Sequence, residues 1–412
     1  MNMQLPLPPP LVMSERRVSL IGAMLIAIGP ISMALFTPAM PELVKAFGTT
    51  EAAVKMTLSL YFAGFAFTQL ICGPLSDGFG RKPVTFAFLS IYLAASLLAL
   101  VAPSIEFLIA ARFFQGVGAA VGLAISRALV RDLFTHETSA RIMNLMGLIL
   151  GIGPAAAPTI GGITMEIAGW HAIFMIMFAA AVAIMVIVHF FMVETVERDL
   201  SRIKPQALMR SYGTLLTTPY FVLCSLVLAG TVGALYTQAT VLPFILMERV
   251  GLTPTEFGMG MLMQSGMFFI GALVARWLMP YVRSANLVPV GLGCIAIGSA
   301  ALAVSLRLYE PTFLSVMGPV GFYAFGIAFV MPAMLTAALA PFPHIAGAAS
   351  SMSGFFQMGG GLLGGMVCAL MAEPVSAMAT VIPALGVMAI ISWLAWRMLP
   401  EPTVRPPHGG HG

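Results

Sequence analysis

The sequence predicts an all-α membrane protein in which twelve transmembrane helices form two bundles of six. Composition is the first observation behind this prediction: 59% of the 412 residues are hydrophobic and 9% are charged, whereas a soluble domain carries about 25% charged residues. The mean hydropathy of +0.97 is the second. These values exclude a soluble enzyme, a nucleic-acid-binding protein and a disordered scaffold. One spanning helix needs about 20 apolar residues, so the hydrophobic residues suffice for about twelve spans.

The predicted helices are apolar runs separated by short polar breaks. The runs are long and do not alternate apolar with polar residues, which favours helices over membrane strands. By length and hydropathy, their centres lie at about residues 30, 63, 92, 116, 150, 181, 231, 266, 296, 324, 357 and 386. The longest polar break falls at the midpoint of the chain and predicts a linker between the bundles. The predicted order is a tail (1–17), a first bundle (18–193), the linker (194–218), a second bundle (219–399) and a tail (400–412).

Basic residues are distributed unevenly across this topology. With the N-terminus inside, fifteen Lys and Arg residues lie on the inner side. Only four lie on the outer side, namely Lys45, Lys55, Arg249 and Arg307. Because cytoplasmic loops carry the excess of positive charge, both termini and the linker are predicted to be cytoplasmic.

Cysteine and histidine spacing predicts neither a metal nor a cofactor. The four cysteines are scattered through apolar runs without metal-ligand spacing. His408 and His411 in the C-terminal tail are compatible with a metal ion, but a disordered tail is the favoured interpretation.

Residues 73–83, GPLSDGFGRKP, lie between the second and third spans. Glycines permit a tight turn there, and Asp77 and Arg81 supply opposite charges at the cytoplasmic surface. An ordinary charged turn is the alternative interpretation. The segment resembles the signature loop of the major facilitator superfamily, which implies that Asp77, Arg81 and Arg131 latch the two halves in the outward-facing state. The predicted latch set is Gly73, Asp77, Gly80, Arg81, Arg131 and Asp132.

A charged residue lies inside the fourth span, in the run RFFQGVGAA that starts at Arg112. A charge at this depth is a functional hypothesis by default, although an arginine near an interface can also snorkel. Gln115, three residues later, shares its helix face. The run resembles the fourth-helix motif of the same superfamily, which implies that Arg112 faces a central cavity and takes part in proton coupling.

Small residues and prolines recur along one face of the fifth span. Small residues let a second helix approach closely, and prolines bend a helix, so packing alone is the other interpretation. The run resembles the antiporter motif of proton-coupled exporters, and the resemblance implies a helix that bends as a gate. The predicted set is Gly151, Pro154, Pro158, Gly161 and Gly162.

Residues 61–69, 127–134 and 341–351, with Pro38 and Pro41, resemble the bicyclomycin/chloramphenicol-resistance (Bcr/CflA) branch of the drug:proton antiporters. The resemblance implies a monomeric exporter, not an enzyme, in the bacterial inner membrane. It implies small amphipathic, drug-like substrates, export by alternating access, and the proton gradient as the energy source. The lipid bilayer is then the other expected partner.

The first span departs from that branch, because Ala34 stands where an acid is expected. None of the sixteen acids falls deep inside a predicted span, whereas a buried carboxylate is the simplest proton carrier. Coupling through an outer carboxylate such as Glu42, coupling through Arg112 in competition with substrate, and uncoupled transport all remain open. An arginine without an acid favours neutral or anionic substrates over cations.

Other polar residues inside predicted spans are candidates for the same cavity. For each of them, a hydrogen bond between helices is an equally good interpretation. The predicted cavity set is Arg112, Gln115, Tyr61, Gln69, Tyr236, Gln238, Gln264, Tyr323 and Gln357.

Three other functions compete with the exporter. A facilitator, exchanger or importer of a small organic anion or siderophore is the alternative within transport. An intramembrane enzyme would need convergent catalytic groups in the spans, and no His-Glu-x-x-His or paired carboxylates occur in the sequence. A channel would not require the latch.

Overall fold

The computed structural model describes residues 13–134, 136–371 and 373–400, and every regular element in these ranges is helical. The first half consists of α1 (Glu15–Phe36), α2 (Met40–Ala46), α3 (Glu51–Phe79), α4 (Arg81–Leu100), α5 (Ile105–Ala119), α6 (Val121–Leu133) and α7 (His136–Phe191). The second half consists of α8 (Pro205–Leu216), α9 (Pro219–Pro243), α10 (Pro254–Leu278), α11 (Ser284–Leu308), α12 (Phe313–Leu339), α13 (Ala346–Leu370) and α14 (Pro374–Arg397). A π-helical turn, Phe244–Arg249, extends α9, and 3-10 turns cover Thr37–Ala39, Leu200–Arg202 and Pro343–Ile345. His408 and His411 lie outside the described residues.

Eleven helical segments in the described ranges are long and apolar enough to cross a membrane. One of them belongs to α7, which has 56 residues and would be about 84 Å long if straight. Gly169 interrupts α7 with φ of 75° and ψ of 179°, a conformation that favours glycine. Each leg of α7 is long enough to span, which brings the number of candidate crossings in the described ranges to twelve. The predicted all-α fold of twelve transmembrane helices is confirmed.

Helix starts differ between the two ends of the molecule. At one end, a side chain caps each of α3, α5, α10, α12 and α14; the capping residues are Thr50, Ser104, Thr253, Thr312 and Glu373. At the other end, α1, α9, α11 and α13 start without a side-chain cap. We call this second end the basic end, because it holds the segments predicted to carry most Lys and Arg residues, and the first the opposite end.

Each half of the molecule has an apolar core of its own. Leu58, Leu129 and Phe174 belong to the core of the first half, and Val227 and Ile295 to that of the second. Since lipid is as apolar as these side chains, close packing rather than water exclusion holds the helices together. The core of the first half also takes in Ala239 and Phe244 of the second half, so part of the interface between the halves is continuous with that core.

The segment predicted as a linker contains α8, which packs on the core of the second half through Tyr212 and Leu215 and reaches the first half through a hydrogen bond. Tyr212 donates a hydrogen bond to the Leu70 carbonyl of α3 at 2.5 Å. Burial raises the pKa of Tyr212 to about 12, so its hydroxyl stays a neutral donor. The connection between the halves is thus fixed to α3 beside the interface.

Candidate functional site

A cavity of about 710 Å³ lies between the two halves at the basic end. Pockets of about 300–1,000 Å³ accommodate drug-sized molecules. Helices α3, α6 and α7 of the first half and α8 and α13 of the second supply its walls. Its charged lining residues are Asp77, Arg81, Arg127 and Arg131, and its neutral polar ones include Gln69 and Ser350.

At the opposite end, α7 and α10 pack backbone against backbone. A Cβ atom on Gly162 would collide with the carbonyl oxygen of Pro254, and one on Gly258 would collide with that of Pro158. Thr159 Oγ1 also donates to the Gly258 carbonyl at 3.0 Å. This contact, which we call the α7–α10 seam, closes the interface at the end away from the cavity.

The α7–α10 seam also contains a carboxylate. The Glu166 side chain of α7 accepts a hydrogen bond from the backbone N–H of Thr255 at 3.0 Å. Thr255 lies in the first turn of α10, where a negative charge is favoured by the helix dipole. One exposed acid of the first half therefore binds a helix start of the second.

The predicted antiporter stripe lies in this same region. Pro158 and Gly162 are seam residues, and Gly161 contacts the Leu35 backbone of α1. The helical backbone continues through Pro154 and Pro158 to Gly169. The side-chain surroundings of Gly151 and Pro154 lie outside what the structure describes. The described residues of the stripe thus make a close contact between helices.

A second interface runs between α3 and α13. A Cβ atom on Gly365 would lie 2.5 Å from the Ser59 hydroxyl, and one on Gly354 would collide with the Gln69 amide. Glycines of α13 therefore face polar side chains of α3. Gln69 lies where this interface meets the cavity wall.

The predicted signature loop is helical instead. Residues 73–79 continue α3, and Gly80, with φ of 102°, makes the turn into α4. The expectation of a loop over 73–83 is wrong, because a single glycine in this region of backbone space can reverse the chain between two helices. Asp77 and Arg81 consequently stand one helical turn apart across that corner.

Arg81 connects several parts of the first half. Its side chain is 3% exposed and pairs with Asp77 at 2.6 Å and Asp132 at 2.9 Å. Glu194, just after α7, accepts from the backbone N–H groups of Arg81 at 2.8 Å and Lys82 at 3.0 Å. Glu194 thereby caps the start of α4.

These contacts correct the predicted latch in two respects. Asp132 pairs with Arg81, whereas Arg131 is 64% exposed and lies 3.9 Å from Asp132. Among the described residues, the ion-pair partners of Asp77, Arg81 and Asp132 all belong to the first half. In this conformation the cluster borders the open cavity and does not join the two halves.

Arg112 is fully buried inside the first half. Its Nη1 donates to Gln115 Oε1 at 2.6 Å, and the rings of Phe36 and Tyr61 lie 4.3 and 4.5 Å from the guanidinium carbon. Gln115 donates to Ser96 at 2.8 Å. Among the described residues, Nε and Nη2 of Arg112 have no hydrogen-bond partner.

The expectation that Arg112 and Gln115 face the cavity is therefore corrected. Neither residue lines the cavity at the basic end, because aromatic rings cover the guanidinium and Gln115 is engaged with α4. The part of the chain that the structure describes places no carboxylate in a salt bridge with Arg112.

Of the remaining predicted cavity residues, Gln69 alone lines the 710 Å³ cavity. Two tyrosines are hydrogen-bonded between helices: Tyr61 to the Gly29 carbonyl and Tyr323 to the Gly230 carbonyl, both at 2.8 Å. Gln264 donates to Gln238 at 2.8 Å. Tyr236 packs against Phe62 with ring centroids 5.3 Å apart, and Gln357 is partly buried on α13.

Two basic residues at the interface between the halves are not among the predicted site residues. Arg127 lines the cavity, and its Nη1 donates to Ser350 of the second half at 2.8 Å. Lys55 is 1% exposed, pairs with Glu51 at 3.0 Å and lies 5.0 Å from the Phe244 ring of the second half. In the sequence, both are positive charges near span ends. Nothing in the sequence indicates which of the basic residues near span ends turn towards the interface.

Comparison with known proteins agrees with this architecture. The family model of the Major Facilitator Superfamily matches residues 22–368. Multidrug resistance protein D of Escherichia coli (strain K12) is 26% identical, over 92% of this chain and 96% of the relative. The chloramphenicol resistance protein of Pseudomonas aeruginosa is 27% identical, over 82% of this chain and 79% of the relative.

A solved structure shares the fold. The crystal structure of the D-xylose-proton symporter superposes with a TM-score of 0.74 and 14% identity, covering 94% of this chain and 98% of the symporter. At this identity the likeness concerns the fold alone. The superfamily expected from residues 73–83 and from the fourth and fifth spans is confirmed by the family match.

Proposed function

Because the chain belongs to the Major Facilitator Superfamily, we propose that it exports small amphipathic, drug-like organic compounds by alternating access. We place it in the bacterial inner membrane with both termini cytoplasmic. The relatives described as multidrug and chloramphenicol resistance proteins support this direction and substrate class. Its assignment to the Bcr/CflA branch is part of the same proposal.

The observation that carries the proposal is the asymmetry of the interface between the halves. A drug-sized cavity lies at the basic end, while the α7–α10 seam closes the opposite end. The positive-inside rule assigns the basic end to the cytoplasm. An exporter in this conformation is ready to take up substrate from inside, and rocking of the two bundles would release it outside.

The proton gradient is the proposed energy source, used through proton-coupled antiport. Such coupling needs a residue that carries the proton. In the described ranges, the buried charged side chains are Lys55, Arg81 and Arg112, and none is a carboxylate. This observation favours a second candidate, an uncoupled facilitator, exchanger or importer of a small organic anion or siderophore. The two candidates differ in how they respond to a pH gradient.

Transport into everted membrane vesicles distinguishes them. Vesicles that contain the protein and have an acidic lumen are expected to accumulate radiolabelled chloramphenicol, and the ionophore nigericin is expected to abolish the accumulation. Vesicles without the protein are the control. Equilibration that ignores the gradient would establish facilitation and refute antiport. Uptake no faster than in the control would refute transport of this compound class.

A further inference from the structure

Arg127 is the unbalanced charge on the cavity wall. Its hydrogen-bond partner in the described residues is the Ser350 hydroxyl, which is neutral. The other charges of the cavity wall compensate one another, because Arg81 pairs with Asp77 and Asp132, and Arg131 lies near Asp132. In the described part of the chain, Arg127 forms no salt bridge.

The start of α13 lies beside Arg127 on the cavity wall, since Arg127 contacts Ser350 of that helix. Ala346, Gly347 and Ala348 line the cavity, and α13 has 25 residues with neither a side-chain cap nor an acid in its first turn. At the opposite end, by contrast, α3, α5, α10, α12 and α14 each start with a side-chain cap. The N–H groups and positive dipole end of α13 are therefore available to an anion.

Gln69 supplies a second, independent sign of a missing ligand. It lines the same cavity, is 4% exposed, and its Oε1 has no hydrogen-bond partner in the described residues. A buried acceptor without a donor is costly. A ligand hydroxyl or amide N–H in the cavity would satisfy it.

We propose that this wall is an anion subsite that selects small amphipathic organic acids. The carboxylate of the ligand binds the Arg127 guanidinium and the first turn of α13, and a neighbouring hydroxyl or amide N–H donates to Gln69. Apolar lining residues such as Leu123, Phe134 and Met143 contact the rest of the ligand. The inference rests on the proposed function and names its substrate class.

The test uses one matched pair of probes, chloramphenicol and its hemisuccinate ester. Both carry hydroxyl and amide donors, and only the ester carries a carboxylate. Binding to the full chain in lipid nanodiscs is measured by titration calorimetry at neutral pH. The wild-type protein is expected to bind the hemisuccinate about tenfold more tightly, since charge-assisted hydrogen bonds are roughly twice as strong as neutral ones.

Three variants separate charge from structure. Arg127→Gln should lower hemisuccinate affinity about tenfold and leave chloramphenicol affinity within about threefold. Ser350→Ala removes the hydrogen bond that Arg127 makes to the second half and keeps the guanidinium, so the preference for the acid should persist. Arg276→Gln, the same charge change on exposed α10 at the basic end, is the matched control. Melting temperatures confirm that each variant is folded.

Two results would overturn the subsite. One is a wild-type protein without preference for the hemisuccinate, which includes binding neither probe. The other is an Arg127→Gln or Ser350→Ala variant that weakens both probes equally, because Arg127 would then act by joining the halves. Failure of the proposed export function is recognised separately, by vesicle uptake of neutral chloramphenicol.

Discussion

The two ends of the interface between the halves are built from different chemistry. At the opposite end, glycine backbones of α7 and α10 touch, and a single added Cβ atom would collide. At the basic end, side chains line an open cavity, and four of them are charged. Backbone contact tolerates one geometry, whereas flexible side chains adapt to several. The seam therefore defines the closed conformation, and the cavity end accommodates variable ligands.

The largest expected effect comes from forcing the seam apart. Gly258→Val places branched carbons against the Pro158 carbonyl, and overpacking of this kind costs about 1–3 kcal/mol. That cost shifts the conformational equilibrium about five- to a hundred-and-fiftyfold away from the closed seam. We expect vesicle uptake of chloramphenicol to fall at least about fivefold.

The same helix offers a matched control. A Cβ atom on Gly266 would meet no atom within 4 Å, so Gly266→Val should transport normally. Maleimide labelling of a cysteine introduced at Met165, in a cleft at the opposite end, reports opening. Gly258→Val with unchanged labelling and uptake would mean that the seam does not define the closed conformation.

Arg112 lies at neither end of the interface, and its replacement tests a charge that is buried inside one half. A buried guanidinium with two unpartnered donors is costly, and an apolar isostere in such a place is often neutral or stabilising. Arg112→Met should keep or raise the melting temperature of the purified protein. If the charge serves coupling, acid-driven uptake should fall at least tenfold.

Arg112→Lys keeps the charge and is the companion variant. Uptake retained by both variants would assign Arg112 to packing alone. A large fall in melting temperature of Arg112→Met would contradict the stability argument, because the guanidinium would then be net favourable where it lies.

At the cavity end, the largest loss of stability should follow removal of Arg81. Arg81→Ala breaks two short ion pairs and leaves Asp77 and Asp132 without their cation. We expect about 2 kcal/mol lower free energy of unfolding, since hydrogen bonds to charged groups contribute about 1.5–3 kcal/mol. Thermal melting in detergent measures it.

Arg131→Ala is the control for that change. Arg131 is mostly exposed, and surface ion pairs contribute about 0–1 kcal/mol. Arg131→Ala should therefore leave the free energy of unfolding nearly unchanged. If both alanine variants lower the free energy of unfolding equally, the overall positive charge stabilises the cluster, and the buried ion pairs of Arg81 make no special contribution.

Much of the fold follows from the sequence, because an apolar run of sufficient length can only be a spanning helix in lipid. The corner at Gly80 shows the limit. Residues 73–79 contain glycine and proline, which are typical of turns, yet membrane helices tolerate both. The helix therefore continues to Gly80, the glycine within residues 73–83 that has a positive φ.

The site was harder to predict than the fold. In a helix that is apolar on all sides, the pattern does not reveal which face meets lipid, core or cavity. Arg112 accordingly looked like a cavity residue and is sealed in the first half, while Arg127 looked like a surface charge and lines the cavity. The partners of Arg112 all lie in the first half, so its place is decided by how the helices of that half pack together.

The smallest expected effect concerns the carboxylate in the seam. Glu166→Gln removes the charge that faces the first turn of α10 and leaves the glycine contacts intact. Because Glu166 is exposed and the helix-dipole interaction is screened by salt, opening should increase only about twofold, measured by labelling of the cysteine at position 165.

High salt should abolish the difference between Glu166→Gln and the wild-type protein, since screening removes the interaction in both. Glu310→Gln, an exposed acid between α11 and α12, should have no effect on labelling. If Glu166→Gln instead opens the seam as far as Gly258→Val does, the carboxylate rather than the glycine backbone holds the opposite end closed. The comparison between a backbone-defined end and a side-chain-defined end would then fail.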